Sequence, residues 1–455
     1  MTSSVTTSPP PPPSPPPAAN VPSAANVPPA APAGSAPERA STRARELFAG
    51  AVSGTPGRMR VLAAIALVVT LAFGVLGFLA LLRFHSNVEE ARRNAEQLVR
   101  IQSIRTNLVK ADANATNAFL VGGLEPPAVR DAYTNGIAAT ARTLAQASAR
   151  SDDAPALERV NRVLTQYTGL IEAARANNRQ GFPVGAAYLR QASRALRDDA
   201  LPALATLVQA ERRRVEDSTS AADSARDALI LFLVLALVAL VAPQMYLSRK
   251  TRRTFNKPLL AATAVVIVAG LLGLGVVTWS KGRADEARAG PYRQTVALAT
   301  ARIGGFDAKS AEALTLIARG SGAAFEERFQ STAADASAAI ERDLVGAAPE
   351  SAQAEAAATF ADYVSEHQKL RSLDENGQHD QAVAAATGNG AANQAFARFE
   401  RASSRALTAE AADLSDDLNQ AATPLVVTAW LLLLAGLAAA VLAWRGVSER
   451  LREYR

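Results

Sequence analysis

Apolar positions along the chain fall into two patterns, and each predicts a different kind of helix. The first is the uninterrupted run. Residues 61–82, 228–247, 259–279 and 424–444 are each 20 to 22 residues long and contain no Asp, Glu, Lys, Arg or His. A helix rises about 1.5 Å per residue, so every run is long enough to cross a ~30 Å hydrocarbon core. The second pattern is the seam with steps of three and four. Ile101, Ile104, Leu108, Ala111, Ala115 and Ala118 form one, and Leu157, Val160, Leu164, Tyr167, Ile171 and Ala174 another. Such heptad spacing predicts helices that pack on one another in water. No polar segment shows a convincing period of two, so no strands are expected.

The polar segments, 83–227 and 280–423, are nearly equal in length and read as a repeat. At an offset of 195, Asp112, Ala113 and Ala118 fall on Asp307, Ala308 and Ala313; at 196, Tyr167 falls on Tyr363. The seams recur as Val296, Ala299, Ile303, Phe306, Ser310, Ala313 and Ile317, and as Ala356, Phe360, Tyr363, His367 and Leu370. Gly, Pro and Asn breaks predict helices at about 83–120, 126–150, 155–178 and 184–227, then at 281–318, 323–344, 350–373 and 379–423. Short connections favour antiparallel bundles. Pro202 should bend the fourth helix. The expected fold is an all-α membrane protein with four transmembrane helices and two tandem extracytoplasmic four-helix bundles. No strong breaker separates the first bundle helices from the spans before them, so spans should run on as long helices.

Charge sets the expected orientation. Arg58 and Arg60 precede the first span, Arg249, Lys250, Arg252, Arg253 and Lys257 crowd the 248–258 loop, and Arg445, Arg450, Arg452 and Arg455 fall in 445–455. Short Lys/Arg-rich loops stay inside, so both termini should be cytoplasmic at the plasma membrane. The net charge of +6 is then explained by topology and contact with membrane lipid, not by nucleic acid. Residues 1–57 form a separate regime. Fourteen of the 24 prolines lie in the first 60 residues, which predicts a disordered tail with polyproline II character. About 60 residues before the first span also argue against an ordinary cleavable signal peptide.

Candidate chemistry is sparse. There is no cysteine and there are three histidines, so no disulfide, metal site or other cofactor is expected, and no catalytic constellation can be placed. Spans without ionisable residues argue against a pump or ion-coupled transporter. Asp112 and Asp307 could bind a cationic group or partner, or be solvated or locally paired flank residues. His367, on a seam where the other half has Ile171, could respond to pH or ligand, or be simply hydrogen-bonded or partly exposed near a helix end. The membrane-distal connections are the better candidates for contact with a ligand or partner: Gly122, Glu125 and Asn178 in one half, Arg319, Asp374 and His379 in the other. Ala269 with Gly273 and Gly436 with Ala440 are small-residue pairs that would let spans approach closely.

A span–bundle–span unit with a heptad-seamed bundle resembles the four-helix-bundle sensor domains of chemoreceptors and sensor kinases. No signalling module is expected in the eleven residues after the last span, which departs from those families. With the Pro-rich tail, four spans and tandem bundles, the plan resembles the GlnX family of actinobacterial membrane sensors. That resemblance implies a signal transducer relaying acidic amino-acid availability from the binding lipoprotein GlnH to the cytoplasmic Ser/Thr kinase PknG, with no site residue carried over. A structural envelope scaffold is the alternative. Homo-oligomerisation is open.

Overall fold

The computed structural model describes residues 55–121, 127–150, 152–219, 221–251, 256–344 and 348–452. The chain divides into Met1–Arg58, described only from Thr55 onward, and Met59–Arg455, which carries the fold. Of the predicted tail, only Thr55–Gly57 are described, and they are helical; the rest lies outside the described residues. Among the described residues there is no strand, and four helices are long and apolar enough to cross a membrane. The fold class is that of an all-α membrane protein.

The first half begins with α1 (Thr55–Val121), which runs from the first apolar stretch deep into the polar segment without a break. Residues 83–121 contain neither Pro nor Gly, so nothing interrupts its hydrogen bonding. Helices α2 (Pro127–Ala147) and α3 (Ala154–Arg179) follow. The fourth helix is α4 (Val184–Ala195) and α5 (Leu201–Thr219), joined by a π-helical turn at Leu196–Ala200. Helix α6 (Ala221–Thr251) holds the second apolar run. The second half has α7 (Lys257–Ala287), a π turn at Arg288–Tyr292, and α8 (Arg293–Ile317). It continues with α9 (Ala323–Asp343), α10 (Ala352–Glu375), α11 (His379–Ala386) and α12 (Ala391–Arg452).

Three local features depart from the sequence reading. Pro202 is accommodated by the π turn just before it, where the Leu201 N–H reaches the Leu196 carbonyl, one residue further back than in an α-helix. Pro291 gave no expected break, and it lies inside the second π turn, twelve residues beyond the third span. The expected single helix 379–423 is instead two, because Gly388 takes φ +53° and a Cβ at Gly390 would fall 2.1 Å from the Ala384 carbonyl oxygen.

The seams of the first half are buried as their spacing predicts, whereas Val296, Ile303 and Ile317 of the mirrored seam are only half-buried. Ile101, Ile104, Leu108, Ala111, Ala115 and Ala118 are all buried, as are Leu157 through Ala174 at the seam steps of α3. Tyr167 and Tyr363 are both fully buried. Each fully buried large side chain contributes about 1.5–3 kcal/mol relative to exposure. The two bundles are not separate bodies. Leu314 of α8 joins the core built on Ile101, Leu108 and Tyr167, while Val109 and Ala113 of α1 join the core built on Phe306 and Tyr363. Helices α1 and α8 are thus the shared middle of one double bundle. This explains why α8 is buried almost all round from Ala297 to Leu316, charged residues included.

The four apolar stretches pack together on Phe73, Leu81, Ala236, Leu240, Val266, Ala429 and Leu432. Helices α1 and α12 cross at Gly74 and Gly436, where a Cβ on Gly74 would lie 2.9 Å from the Gly436 Cα. Gly273 packs on Leu432, and Ala269 and Ala440 are buried.

Candidate functional site

Because α1 and α8 share the middle of the double bundle, Asp112 and Asp307 are brought to one place. Both are buried, at 4% and 7% exposure, so they are paired rather than solvated. Arg197, in the π turn of the fourth helix, lies between them. Its Nη2 donates to Asp112 Oδ2 at 3.1 Å and its Nε to Asp307 Oδ1 at 3.2 Å. Ser193 and Ser310 donate to the two oxygens of Asp112 at 2.6 and 2.7 Å, and Ser310 accepts from Arg197 at 3.0 Å. Arg328 of α9 donates to Asp307 Oδ2 at 2.6 Å. Burial works against the Arg197 charge, but Asp112 and Asp307 outweigh it and hold its pKa above the ordinary arginine value. The network joins α1, the fourth helix, α8 and α9 across both halves.

A second polar cluster surrounds His367. Its ring stacks on Phe329 at 3.3 Å between centroids. Nδ1 stands 2.9 Å from Glu312 Oε2, and Nε2 stands 3.3 Å from Glu326 Oε2. Lys309 donates to Glu312 at 2.6 Å and to the Ala386 carbonyl, at the end of α11, at 3.0 Å. Burial lowers the His367 pKa, but the two carboxylates more than reverse this and the net shift is upward. For Glu312, burial pushes up, while Lys309 and His367 bring the net value below the usual carboxylate range.

The connections far from the spans form two further settings. Arg319, with φ +40°, Asp374 and His379 line one groove together with Arg371. His379 Nδ1 lies 2.8 Å from Asp374 Oδ1. Asn178 lines a separate cavity at the far end of the first bundle, with Arg130, Arg175 and Arg179. Gly122 and Glu125 fall outside the described residues. So do Arg252 and Arg253 of the basic loop. Arg249 and Lys250 end α6, and Lys257 opens α7. Among the described residues no group of three or more His, Asp or Glu side chains is placed to hold a metal ion.

Sequence reading missed Arg197, Arg328, Lys309 and Glu312. One signal was available for Arg197. It lies four residues after Ser193, on the face that buries Leu189, Leu196 and Ala200, and an arginine on an apolar face requires a buried anion. Lys309 and Glu312 carried no such signal, because their partners, the Ala386 carbonyl and His367, come from α11 and α10, far along the chain.

These features define a class: a span-anchored double helical bundle whose halves are keyed by buried charge. Within it, residues 87–220, from the polar part of α1 through the fourth helix, match the family model described as an actinobacterial sensor domain. The match points to a sensing role. No curated protein and no solved structure gave a match.

Proposed function

We propose that the protein is a non-enzymatic transmembrane signal transducer whose double bundle lies outside the cell and receives the cue. The observation that carries this reading is the continuity of α1 and α12. Each runs unbroken from the bundle through an apolar stretch, so a displacement at the bundle is carried to the opposite face of the membrane. The match to a sensor domain supports the same reading. In its finer form, the cue is acidic amino-acid availability presented by a binding lipoprotein, and the recipient is a cytoplasmic Ser/Thr kinase, as the likeness to the GlnX family implies. A ligand shifts such a helix set only by its differential affinity for two arrangements.

A cross-link tests this. The His85 ring reaches the Ala422 carbonyl at 3.1 Å, joining α1 to α12 just outside the spans. His85→Cys with Ala422→Cys in this cysteine-free chain should lock the pair when oxidised. Phosphorylation of the kinase's substrates in cells should then stop following the external cue and recover on reduction. An equal response with the cross-link complete would favour a scaffold that binds without switching.

A further inference from the structure

His367 has a carboxylate at each ring nitrogen, and the two come from different helices. Glu312 of α8 stands 2.9 Å from Nδ1, and Glu326 of α9 stands 3.3 Å from Nε2. Neutral imidazole has one N–H and one lone pair, so it donates to only one of them. The imidazolium donates to both. With the proton gone, a lone pair faces a carboxylate and one of the two must leave. The surroundings decide which. Glu312 is fully buried and takes a second donor from Lys309 at 2.6 Å, and Lys309 is itself tied to the Ala386 carbonyl of α11. Glu326 is 18% exposed, and its other donors are the exposed Gln330 at 3.2 Å and the half-buried Arg371 at 3.0 Å.

The ring also forms part of the wall of an open groove of about 510 Å³ between α9 and α10, with Phe329, Gln330, Ala333, Val364 and Gln368. A departing proton therefore has water to go to. Phe329 stacks on the ring, which favours the cation. The charged and titratable groups around the ring are Glu312 and Lys309 of α8, Glu326 of α9, and Tyr363 and Arg371 of α10 itself, while α12 covers Lys309 and Tyr363 with Phe396. Glu312 and Glu326 both ionise below the usual carboxylate range, and burial holds the proton on Tyr363 far above neutrality. That leaves the ring to titrate between them.

We propose that His367 is a proton-binding site that sets where α9 stands. With the proton on, the imidazolium draws Glu326 inward and holds α9 to α8 and α10. With the proton released to water in the groove, Glu326 turns out toward Arg371 and Gln330, and the first turn of α9 follows. Arg328 stands two residues beyond Glu326 and holds Asp307, which also accepts from Arg197. The position of α9 is thereby passed to the junction between the halves. The proton acts as any ligand does, through its differential affinity for the two arrangements. External pH becomes a second cue, and that step alone rests on reading the double bundle as the receiving end.

Spin labels at Ala324→Cys, in the first turn of α9, and at Gln368→Cys, on α10, occupy exposed positions of this cysteine-free chain. Their separation in the full-length protein in nanodiscs, read by electron paramagnetic resonance, should change between pH 6 and pH 9. The change should follow a single-proton transition with its midpoint above 6.5, the ordinary histidine value. His367→Gln and Glu326→Gln should each give one separation at both pH values, since neither variant sets a lone pair against a carboxylate. Glu326→Gln keeps the imidazole, so it carries the test where His367→Gln does not fold. A separation unchanged between pH 6 and pH 9 with His367 and Glu326 in place overturns the proposal. So does a transition that persists in either folded variant. None of these results bears on the cross-link test, which is run at one pH.

Discussion

Replacing Arg197 by methionine is the sharpest perturbation of the double bundle. Methionine keeps the apolar stem of the side chain but removes the guanidinium shared by Asp112 and Asp307. Both carboxylates are buried, and stripping one partner from a buried ion pair costs about 3–5 kcal/mol. The lower end of that range applies, because each aspartate keeps other donors: Asp112 keeps Ser193 and Ser310, and Asp307 keeps Arg328. A loss of about 3 kcal/mol is expected by this reasoning. Thermal melting followed by circular dichroism in nanodiscs should show R197M melting well below wild type. Adding Asp112→Asn removes one stranded charge, so D112N/R197M should recover part of the loss. Asp112→Asn alone should be milder than R197M, since it leaves Arg197 with Asp307. An R197M protein that melts with wild type would refute the claim that this junction holds the halves together.

Other perturbations test separate parts of the account. The His367 charge stabilises fully below its unfolded pKa of about 6.5 and the benefit is lost as pH rises through the raised folded value. The contributions of Glu312 and Glu326, both lowered, are present above their unfolded value of about 4.5 and lost on acidification. His367→Gln should therefore destabilise more near pH 6 than near pH 9, as melting curves at the two pH values would show; equal losses would count against the buried pair. Gly436→Leu would place a Cβ 2.5 Å from the Gly74 Cα, and separating α1 from α12 should cost about 1–3 kcal/mol, read as a lower melting temperature. Ser248→Cys should resist an impermeant thiol reagent in intact cells, and ready labelling would reverse the proposed orientation.

The sequence reading went furthest where a residue's fate is decided by its own helix. The seam from Ile101 to Ala118 and the four apolar stretches follow from period and length alone, and so does the unbroken passage of α1 from span to bundle. It went less far where two helices decide together. Thr387 to Gly390 could be read as one more helical turn until Gly388 and Gly390 are seen to end α11. Asp112 and Asp307 stood out at matching positions, but only the docking of α1 on α8 buries them, and only the π turn before Pro202 brings Arg197 between them. His367 was visible as an oddity on a seam. Its partners Glu312 and Glu326 come from α8 and α9, with no local pattern to single them out. Arg319, Asp374 and His379 were chosen as loop residues, and the structure collects them around one groove.

The central claim is that the state of the double bundle is passed along continuous helices to the far side of the membrane. Spin labels at Arg60→Cys and Arg445→Cys, exposed positions at the ends of the apolar stretches of α1 and α12, would report it directly. Their distance distribution would be measured by double electron–electron resonance in nanodiscs, with and without the proposed cue, an acidic amino acid presented on its binding lipoprotein. The account predicts that ligand shifts the distribution, and that the oxidised His85→Cys/Ala422→Cys cross-link abolishes the shift. An unchanged distribution in protein saturated with ligand would contradict it.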